Sequence, residues 1–261
     1  MFKTINTLAI AVSLSLLGFT QAQAGLLAHW KFDEGSGTSV ADSSSNSNTG
    51  TLTNMTGNEW TTGPVGGALN FDGVDDYILV NYDSSLDATS ALTISAWVKT
   101  STSNSQAELV VNKMKHNSGT ATDDSYAMRI QNGAVAVQAS AGAASSIWVP
   151  GSLVVNDGQW HHLAYVFDKP TSYLYVDGLF DSGGTYPAMN SNLNNSAHDL
   201  YIGGSNNNGT PANFFTGIID DLRIYDSALT AAQIQALVPE PSTALLLCLG
   251  LLALATGRWN R

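Results

Sequence analysis

Short runs of alternating apolar and polar residues, separated by loops rich in Gly, Asn, Asp and Ser, extend along most of this 261-residue chain. In the stretch 92–99, for example, every second residue is apolar. This period of two is typical of a β-strand that buries one face. Many short strands at regular spacing predict an all-β fold in which two antiparallel sheets pack together as a β-sandwich of jelly-roll type.

Ten further stretches have strand-like composition, and they are 27–32, 68–71, 77–80, 108–112, 126–130, 134–139, 159–167, 173–176, 200–204 and 217–225. The Asn-Gly pair at 132–133 is typical of a tight hairpin turn. Only 230–237 has a helical pattern, because Thr230 and Gln233 fit a capping box. The sequence therefore predicts one β-sandwich domain over 25–237 that ends in a short helix.

The charge balance of the chain excludes two classes of partner. The chain has 10 Lys and Arg residues against 21 Asp and Glu residues, a formal net charge of −11. Binding to nucleic acid or to an anionic membrane surface would need a basic face, so neither is expected as a partner. The single cysteine, Cys248, cannot form an intramolecular disulfide.

The N-terminal residues have the features of a secretory signal peptide. Lys3 gives a positive first region, and an apolar stretch follows over 8–19. The sequence Ala-Gln-Ala at 22–24 is typical of a cleavage site. We therefore predict that residues 1–24 are removed during export.

Three features occur in order at the C-terminus: the triplet Pro239-Glu240-Pro241, an apolar run over 244–255, and the basic residues Arg258 and Arg261. The run is shorter than the roughly 20 residues that span a bilayer. The order resembles the PEP-CTERM sorting signal of Gram-negative bacteria. The resemblance implies that an exosortase, a membrane peptidase, removes the tail 238–261 and that carriers are linked to extracellular polysaccharide. A weak membrane anchor is the alternative interpretation.

These terminal features together predict where the protein goes. Each signal would associate with a membrane only transiently, during export. The processed domain is then expected outside the cell or on the outer cell surface of a Gram-negative bacterium.

Several short motifs occur in order along the central region: Trp30 to Gly37, Ala68 to Gly73, Thr93 to Val98, Gly158 to Ala164, Tyr175 to Gly178, Ile202 to Gly204 and Gly217 to Tyr225. This order resembles the laminin-G-like, concanavalin A-like lectin/glucanase domain over nearly all of 25–237. The resemblance implies two packed antiparallel sheets with the first and last strands adjacent. It also places the loop after Phe32 near Asp220.

Two adjacent carboxylates, Asp220 and Asp221, lie in the otherwise apolar strand 217–225. Buried carboxylates are costly unless they are paired, hydrogen-bonded or bound to a metal. Neighbours on a strand point to opposite faces, so only one is expected to be a direct metal ligand unless a bulge intervenes. Alternatively, the aspartates cap turns or pair with Lys31 or Arg223.

A structural calcium ion is the metal that this composition favours. Ca²⁺ takes six to eight oxygen ligands, which loops rich in Asp, Asn and Gly supply. The candidate ligands are Asp33, Asp42, Asn48, Asp220 and Asp221.

Aromatic residues in or beside polar loops are candidates for a glycan-binding surface, because their faces can stack on sugar rings. The candidate ligand-binding residues are Trp60, Tyr82, Trp148, Tyr186 and, for hydrogen bonding, Asn206. The alternative interpretation is that these aromatic residues belong to the core of the sandwich.

The sequence does not favour catalysis. Glycosidases need a positioned pair of carboxyl groups, and the domain has only Glu34, Glu59 and Glu108, which are isolated from one another. The Glu-x-Asp-x-x-Glu run of glucanase relatives is absent. His161 and His162 are neighbours on a predicted strand and point in opposite directions, so they cannot bind one metal ion together.

The sequence thus predicts an exported, non-enzymatic binding module that engages extracellular polysaccharide or matrix. Two alternatives stay open. One is a structural or protein-interaction domain without affinity for sugars. The other is a divergent glycoside hydrolase.

Overall fold

The computed structural model describes residues 25–116, 124–142, 145–195 and 197–239. The predicted signal peptide 1–24, the sorting-signal residues Glu240 and Pro241, and Cys248 lie outside the described residues. The strands are β1 Leu26–Trp30, β2 Ser39–Val40, β3 Gly50–Thr53, β4 Trp60–Gly63, β5 Gly66–Asp72, β6 Tyr77–Val80, β7 Ala91–Lys99, β8 Glu108–His116, β9 Asp124–Gln131, β10 Ala134–Ala141, β11 Ser145–Val154, β12 Trp160–Asp168, β13 Thr171–Val176, β14 Leu179–Thr185, β15 Leu200–Ile202, β16 Ser205–Asn207, β17 Thr210–Ala212 and β18 Thr216–Tyr225. The helix α1 is Ala231–Gln235.

The strands form two sheets that pack as a sandwich, as the sequence predicted. Sheet A has the order β14-β13-β12-β7-β18-β5-β4, and β1 also pairs with β18. Sheet B has the order β11-β10-β9-β8-β15-β6-β3-β2, and the short hairpin β16–β17 pairs with β8. The antiparallel pairing of β1 with β18 brings the two ends of the folded region together, in agreement with the expected adjacency of the first and last strands.

The core lies between the two sheets and is formed by the apolar residues that alternate along the strands. The largest fully buried aromatic side chains in the described residues are Trp30, Phe32, Phe71, Tyr126, Tyr165, Phe167 and Phe215. The prediction for β7 was correct for the face that contains Leu92 and Ile94, since both are fully buried. The opposite face of β7 is buried too.

The helix α1 covers part of the outer face of sheet A. Its N-terminus has the predicted capping box, in which the side chains and backbone N–H groups of Thr230 and Gln233 bind each other reciprocally. Ile234 and Leu237 pack on the outer face of sheet A in a small apolar cluster that also contains Leu26 and Tyr225. The first strand and the residues that follow the helix are therefore held at the same surface.

Turn chemistry fixes the register of the predicted hairpin between β9 and β10. Asn132 and Gly133 have φ angles of 53° and 79°. Two consecutive positive φ values are what a two-residue hairpin turn of type I′ requires, and Asn-Gly adopts them readily.

Seven strands were not predicted: β2, β3, β4, β11, β14, β16 and β17. Two of them have composition that is typical of turns, because β11 contains Pro150 and Gly151, and β14 contains Gly183 and Gly184. Both are edge strands of their sheets, where proline and glycine are tolerated. Among the residues that the structure describes, no helix has the length and apolar character needed to cross a bilayer.

Candidate functional site

A β-bulge in β18 separates the environments of Asp220 and Asp221. The pairing of β18 with β7 shifts register between Asp220 and Arg223, and Asp221 has a φ of 52°. Asp221 lies with Oδ1 2.6 Å from His29 Nε2 and with Oδ2 2.9 Å from Arg223 Nη2. These buried partners satisfy the Asp221 carboxylate, so the predicted alternative of pairing with Arg223 describes this residue.

Asp220 has a different and incomplete set of partners. Its Oδ2 accepts a hydrogen bond of 2.9 Å from the backbone N–H of Val65, whereas its Oδ1 has no partner and is inaccessible. Burial raises the pKa of Asp220 to about 7, and the nearby negative charges of Asp221 and Asp33 act in the same direction. A buried carboxylate with one unpaired oxygen requires a compensating group.

The turn between β4 and β5 holds Asp33 beside Asp220. The backbone N–H of Gly67 donates a 2.7 Å hydrogen bond to Asp33 Oδ1. A side chain at Gly63 would collide with the Asp220 carboxylate, so glycine there permits the close approach. Two carboxylates meet at this turn, and oxygen atoms are the ligands that Ca²⁺ prefers. Of the candidate metal ligands, Asp33 and Asp220 thus lie beside the same turn.

The structure gives Asp42 and Asn48 other partners. Asp42 Oδ1 accepts from the backbone N–H groups of His29 and Ser44, and its Oδ2 accepts from the backbone N–H of Asn48. The Asn48 amide in turn donates to the Leu27 carbonyl and to a serine hydroxyl. These contacts close the loop between β2 and β3 onto β1. Of the five predicted metal ligands, the structure places Asp33 and Asp220 at one turn.

The described residues contain one group of three carboxylates whose oxygens lie within 4.8 Å of one another, and none of the predicted ligands belongs to it. This group is Asp72, Asp75 and Asp76 in the turn after β5. Asp72 Oδ1 accepts from the backbone N–H groups of Val74 and Asp75, and Asp76 Oδ2 accepts from that of Asp72. The hydrogen bonds of the turn account for this arrangement.

Trp148 lies exposed on the outer face of sheet B and stacks on a guanidinium group. Arg129 Cζ is 4.4 Å from the centre of the Trp148 ring, a distance typical of a cation–π contact. Arg129 Nη2 donates a 2.6 Å hydrogen bond to Gln138 Oε1, and Gln138 Nε2 donates to Ser146 Oγ. Three neighbouring strands, β9, β10 and β11, thus fix one exposed indole and place an amide beside it.

Arg129 is a buried cation that forms no close ion pair in the described residues, and the negative charge of Asp124 acts on it only from a longer distance. Lys113 and Arg223, two other largely buried cations, form ion pairs with Asp87 and Asp221 at 2.8 and 2.9 Å. Within the part of the chain that the structure describes, Arg129 has no carboxylate within 4.0 Å, and its Nε has no hydrogen-bond partner. Burial lowers the pKa of Arg129 to about 10. The guanidinium remains charged at neutral pH and is held by Trp148 and Gln138 instead.

In the described residues, no hydrogen bond or ring contact joins Trp148 to the other four predicted ligand-binding residues. Tyr82 is exposed above the ammonium group of Lys113 at 5.1 Å, in the loop after β6. Trp60 and Tyr186 are partly buried and pack against the main core, as the alternative interpretation expected. Asn206 accepts a backbone hydrogen bond within the β16–β17 hairpin. The structure therefore does not assemble these five residues into one surface.

Arg129 and Gln138 were not singled out from the sequence. Both occupy positions that alternate with core residues, and this pattern indicates only that they lie on the outer face of a strand. Their proximity to Trp148 depends on the pairing of β10 with both β9 and β11. No local signal in the sequence indicates that pairing beyond the hairpin turn.

Comparison with sequence families gives two matches. The model of the concanavalin A-like lectin/glucanases superfamily matches residues 72–235, more than half of the chain. The model of the PEP-CTERM protein-sorting motif matches residues 237–261. The search of curated proteins gave no match.

Two solved structures with the same fold are binding domains of toxins. The binding domain of Paraclostridial Mosquitocidal Protein 1 is 15% identical with a TM-score of 0.65, over 82% of this chain and 52% of that chain. The binding domain of botulinum neurotoxin serotype G is 15% identical with a TM-score of 0.61, over 82% and 50%. The chain spans about half the length of these two toxin domains, and at this identity they show the fold alone.

A third solved structure matches over almost its whole length. It is domain 4 of AbnA, a GH43 extracellular arabinanase from Geobacillus stearothermophilus, in complex with arabinotriose. It is 25% identical with a TM-score of 0.60, over 83% of this chain and 99% of that chain.

Proposed function

Because the chain belongs to the concanavalin A-like lectin/glucanases superfamily, we propose that it is an exported, non-enzymatic module that binds extracellular polysaccharide or matrix glycan. The observation that carries this proposal is the exposed indole of Trp148, stacked on Arg129 and adjacent to Gln138. An aromatic face offers an apolar surface to the C–H groups of a sugar ring, and adjacent polar groups bind its hydroxyls.

The rigidity of this platform favours binding. Arg129 is fixed by its hydrogen bond to Gln138, so the contacting indole is supported from below and loses little conformational freedom on binding. The arabinanase domain, which is 25% identical, was solved with arabinotriose. Its likeness supports a glycan as the ligand of the present chain.

The environments of the carboxyl groups argue against a glycoside hydrolase. A general acid needs a raised pKa and access to the glycosidic oxygen. Among the carboxyl groups with a resolved shift, Asp76 and Asp220 have a raised pKa, and burial is the main cause in each case. Both side chains are buried, at 5% and 0% exposure, and cannot reach a polysaccharide. A binding role is therefore favoured over hydrolysis.

A structural calcium ion is a second part of the proposal. Asp33 and Asp220 would hold it at the β4–β5 turn, and the ion would neutralise the unpaired oxygen of Asp220. The ion would link the loop after β1 to β18, next to the bulge. Its role would be to stabilise the fold, because the turn belongs to sheet A whereas Trp148 lies on sheet B.

The sorting motif supports an extracellular location. The PEP-CTERM match begins at Leu237, directly after the helix α1. We propose export by a Gram-negative bacterium, removal of the N-terminal residues 1–24, and removal of the C-terminal tail by an exosortase. The processed module would then act outside the cell or on its outer surface.

Binding of the purified protein to an array of bacterial and plant polysaccharides tests the proposed function. Wild-type protein should bind at least one glycan, and Trp148→Ala should lose that binding. A folded protein that binds no glycan would favour a structural or protein-interaction role. Release of reducing ends from a polysaccharide would instead favour hydrolysis.

A further inference from the structure

An exposed apolar surface lies where the edge strands of the two sheets meet. Of the seven large apolar side chains that are exposed in the described residues, five belong to β11 and β14, and one of these five is Trp148 on the outer face of sheet B. The other four lie at the end of β11 and at the start of β14. We call this surface the apolar corner, and its residues are Leu153, Val154, Leu179 and Phe180. The carboxylate of Asp181 joins the strands, because it accepts hydrogen bonds from the backbone N–H groups of Ser152 and Leu153.

Aromatic rings extend this surface across sheet A. The ring of Phe180 lies 6.2 Å from that of Tyr173 and 6.1 Å from that of Tyr175, both in edge-to-face geometry. Phe180 itself is 58% exposed and Leu179 is 66% exposed. An apolar and aromatic surface of this kind on a soluble domain marks a contact with another surface.

The C-terminal tail leaves the domain at the apolar corner. A β-carbon placed on Gly178 would lie 3.3 Å from the Cα of Gln235 and 3.5 Å from Val238. The residue that follows Gly178 is Leu179. Gln235 and Val238, which precede the sorting tail, therefore lie against the turn at Gly178. The exposed residues Leu179 and Phe180 follow directly after this turn.

The length of the tail limits how far its apolar run can lie from this surface. The run over 244–255 begins six residues after Val238, and six residues reach at most about 20 Å. Twelve consecutive apolar residues followed by Arg258 and Arg261 favour a bilayer over water. When that run is in a membrane, the point at which the tail leaves the domain, beside Gly178, lies within about 20 Å of the membrane surface.

We propose that the apolar corner contacts the interfacial layer of the bilayer while the tail is attached. Leucine, phenylalanine and tyrosine partition into this layer. The acidic balance of the chain, at −11, and the carboxylates of Asp177 and Asp181 beside the corner oppose anionic headgroups. The surface is therefore suited to zwitterionic lipid, and the contact orients the domain on the membrane before the tail is removed.

Two positions of nearly equal exposure test this orientation. Leu179 is 66% exposed, and Val74, in the turn between β5 and β6, is 69% exposed. In sheet A, β14 and β5 are separated by five strand spacings, or roughly 24 Å. The full chain with Cys248→Ala serves as the background, and Leu179→Cys or Val74→Cys carries a nitroxide label.

The labelled chains are reconstituted in phosphatidylcholine vesicles, and collisions of each label with oxygen and with a water-soluble nickel chelate are measured. The label at 179 should lose its collisions with the chelate and keep those with oxygen, whereas the label at 74 should remain open to the chelate. Adding phosphatidylglycerol should weaken the protection at 179. Equal access of the chelate to both labels would overturn the proposal.

Other occupants of the apolar corner give different results. Protection at 179 without vesicles, increasing with protein concentration, would indicate a second copy of the chain and would contradict the proposal. Protection that requires added polysaccharide would indicate a glycan and would also contradict it. Replacing Leu179 and Phe180 by serine leaves the tail intact, and should expose a label at Val154→Cys to the chelate. This test is independent of glycan binding at Trp148.

Discussion

Arg129 places its guanidinium carbon 4.4 Å from the ring centre of Trp148, so that a buried cation supports an exposed aromatic face. Arg129 has no carboxylate within 4.0 Å in the described residues, whereas Arg223 lies 2.9 Å from Asp221. These two arginines have different environments, and their replacement is expected to have different consequences.

Replacing Arg129 by methionine should change stability little. The substitution removes a desolvated charge that forms no ion pair within 4.0 Å in the described residues, and Asp124 acts on that charge only from a longer distance. The free energy of unfolding should therefore stay within about 1 kcal/mol of wild type. Arg223→Met should cost about 2 kcal/mol or more, because it removes one of the two partners of the buried Asp221. Urea denaturation of both variants measures the difference. An equal loss in the two variants would contradict the assigned environments.

The metal proposal predicts that the effect of Asp220→Asn on the melting temperature changes sign when calcium is added. The pKa of Asp220 is raised to about 7 by burial, so its ionisation destabilises the metal-free fold as pH rises through that value. In chelator at pH 8, Asp220→Asn should therefore melt at a higher temperature than wild type. Millimolar Ca²⁺ should raise the melting temperature of wild type and leave that of the variant unchanged.

A matched control separates this site from the acidic turn after β5. Asp75 belongs to the group of three carboxylates in that turn. Asp75→Asn should keep the full calcium response of wild type. Loss of the response in Asp75→Asn, with retention in Asp220→Asn, would place any ion in the turn after β5 and refute the proposed ligands.

The buried position of His162 predicts that the protein loses stability in acid. Burial lowers the pKa of His162 to about 4, against about 6.5 in an unfolded chain. Between these values the unfolded state binds the proton and the folded state does not, so stability rises with pH. The contribution of neutral His162 to the free energy of unfolding is fully present above pH 6.5. It is lost as pH falls towards 4, and the loss is at most about 3 kcal/mol.

The comparison variant for this prediction is His162→Phe. Asp220 contributes with the opposite sign over a similar pH range, and both proteins contain it, so the difference between them isolates His162. Urea denaturation between pH 4 and 7.5 should show wild type losing stability relative to His162→Phe as pH falls. A difference independent of pH would show that His162 titrates normally in the folded protein.

The sequence predicted those features that depend on local chemistry. The Asn132-Gly133 turn and the capping box of Thr230 and Gln233 were both confirmed, because each is determined by residues that are neighbours in the chain. The sandwich itself followed from strand alternation and from the order of motifs.

Features that depend on long-range pairing could not be predicted. The bulge at Asp221 is set by the register of β18 against β7, and it decides which of the two adjacent aspartates has a complete set of partners. The contact between Arg129 and Trp148 requires three strands in the correct order. The edge strands β11 and β14 were missed because proline and glycine obscure their alternation.

Glycan binding by Trp148 is the central claim, and isothermal titration with an array-selected polysaccharide tests it most directly. Trp148→Ala should weaken binding about 5- to 30-fold, since one stacked aromatic ring contributes on the order of 1–2 kcal/mol. Tyr82→Ala removes an exposed aromatic residue from the loop after β6 and should bind as wild type does. If Trp148→Ala binds with wild-type affinity while remaining folded, Trp148 is not the binding platform and the account is wrong.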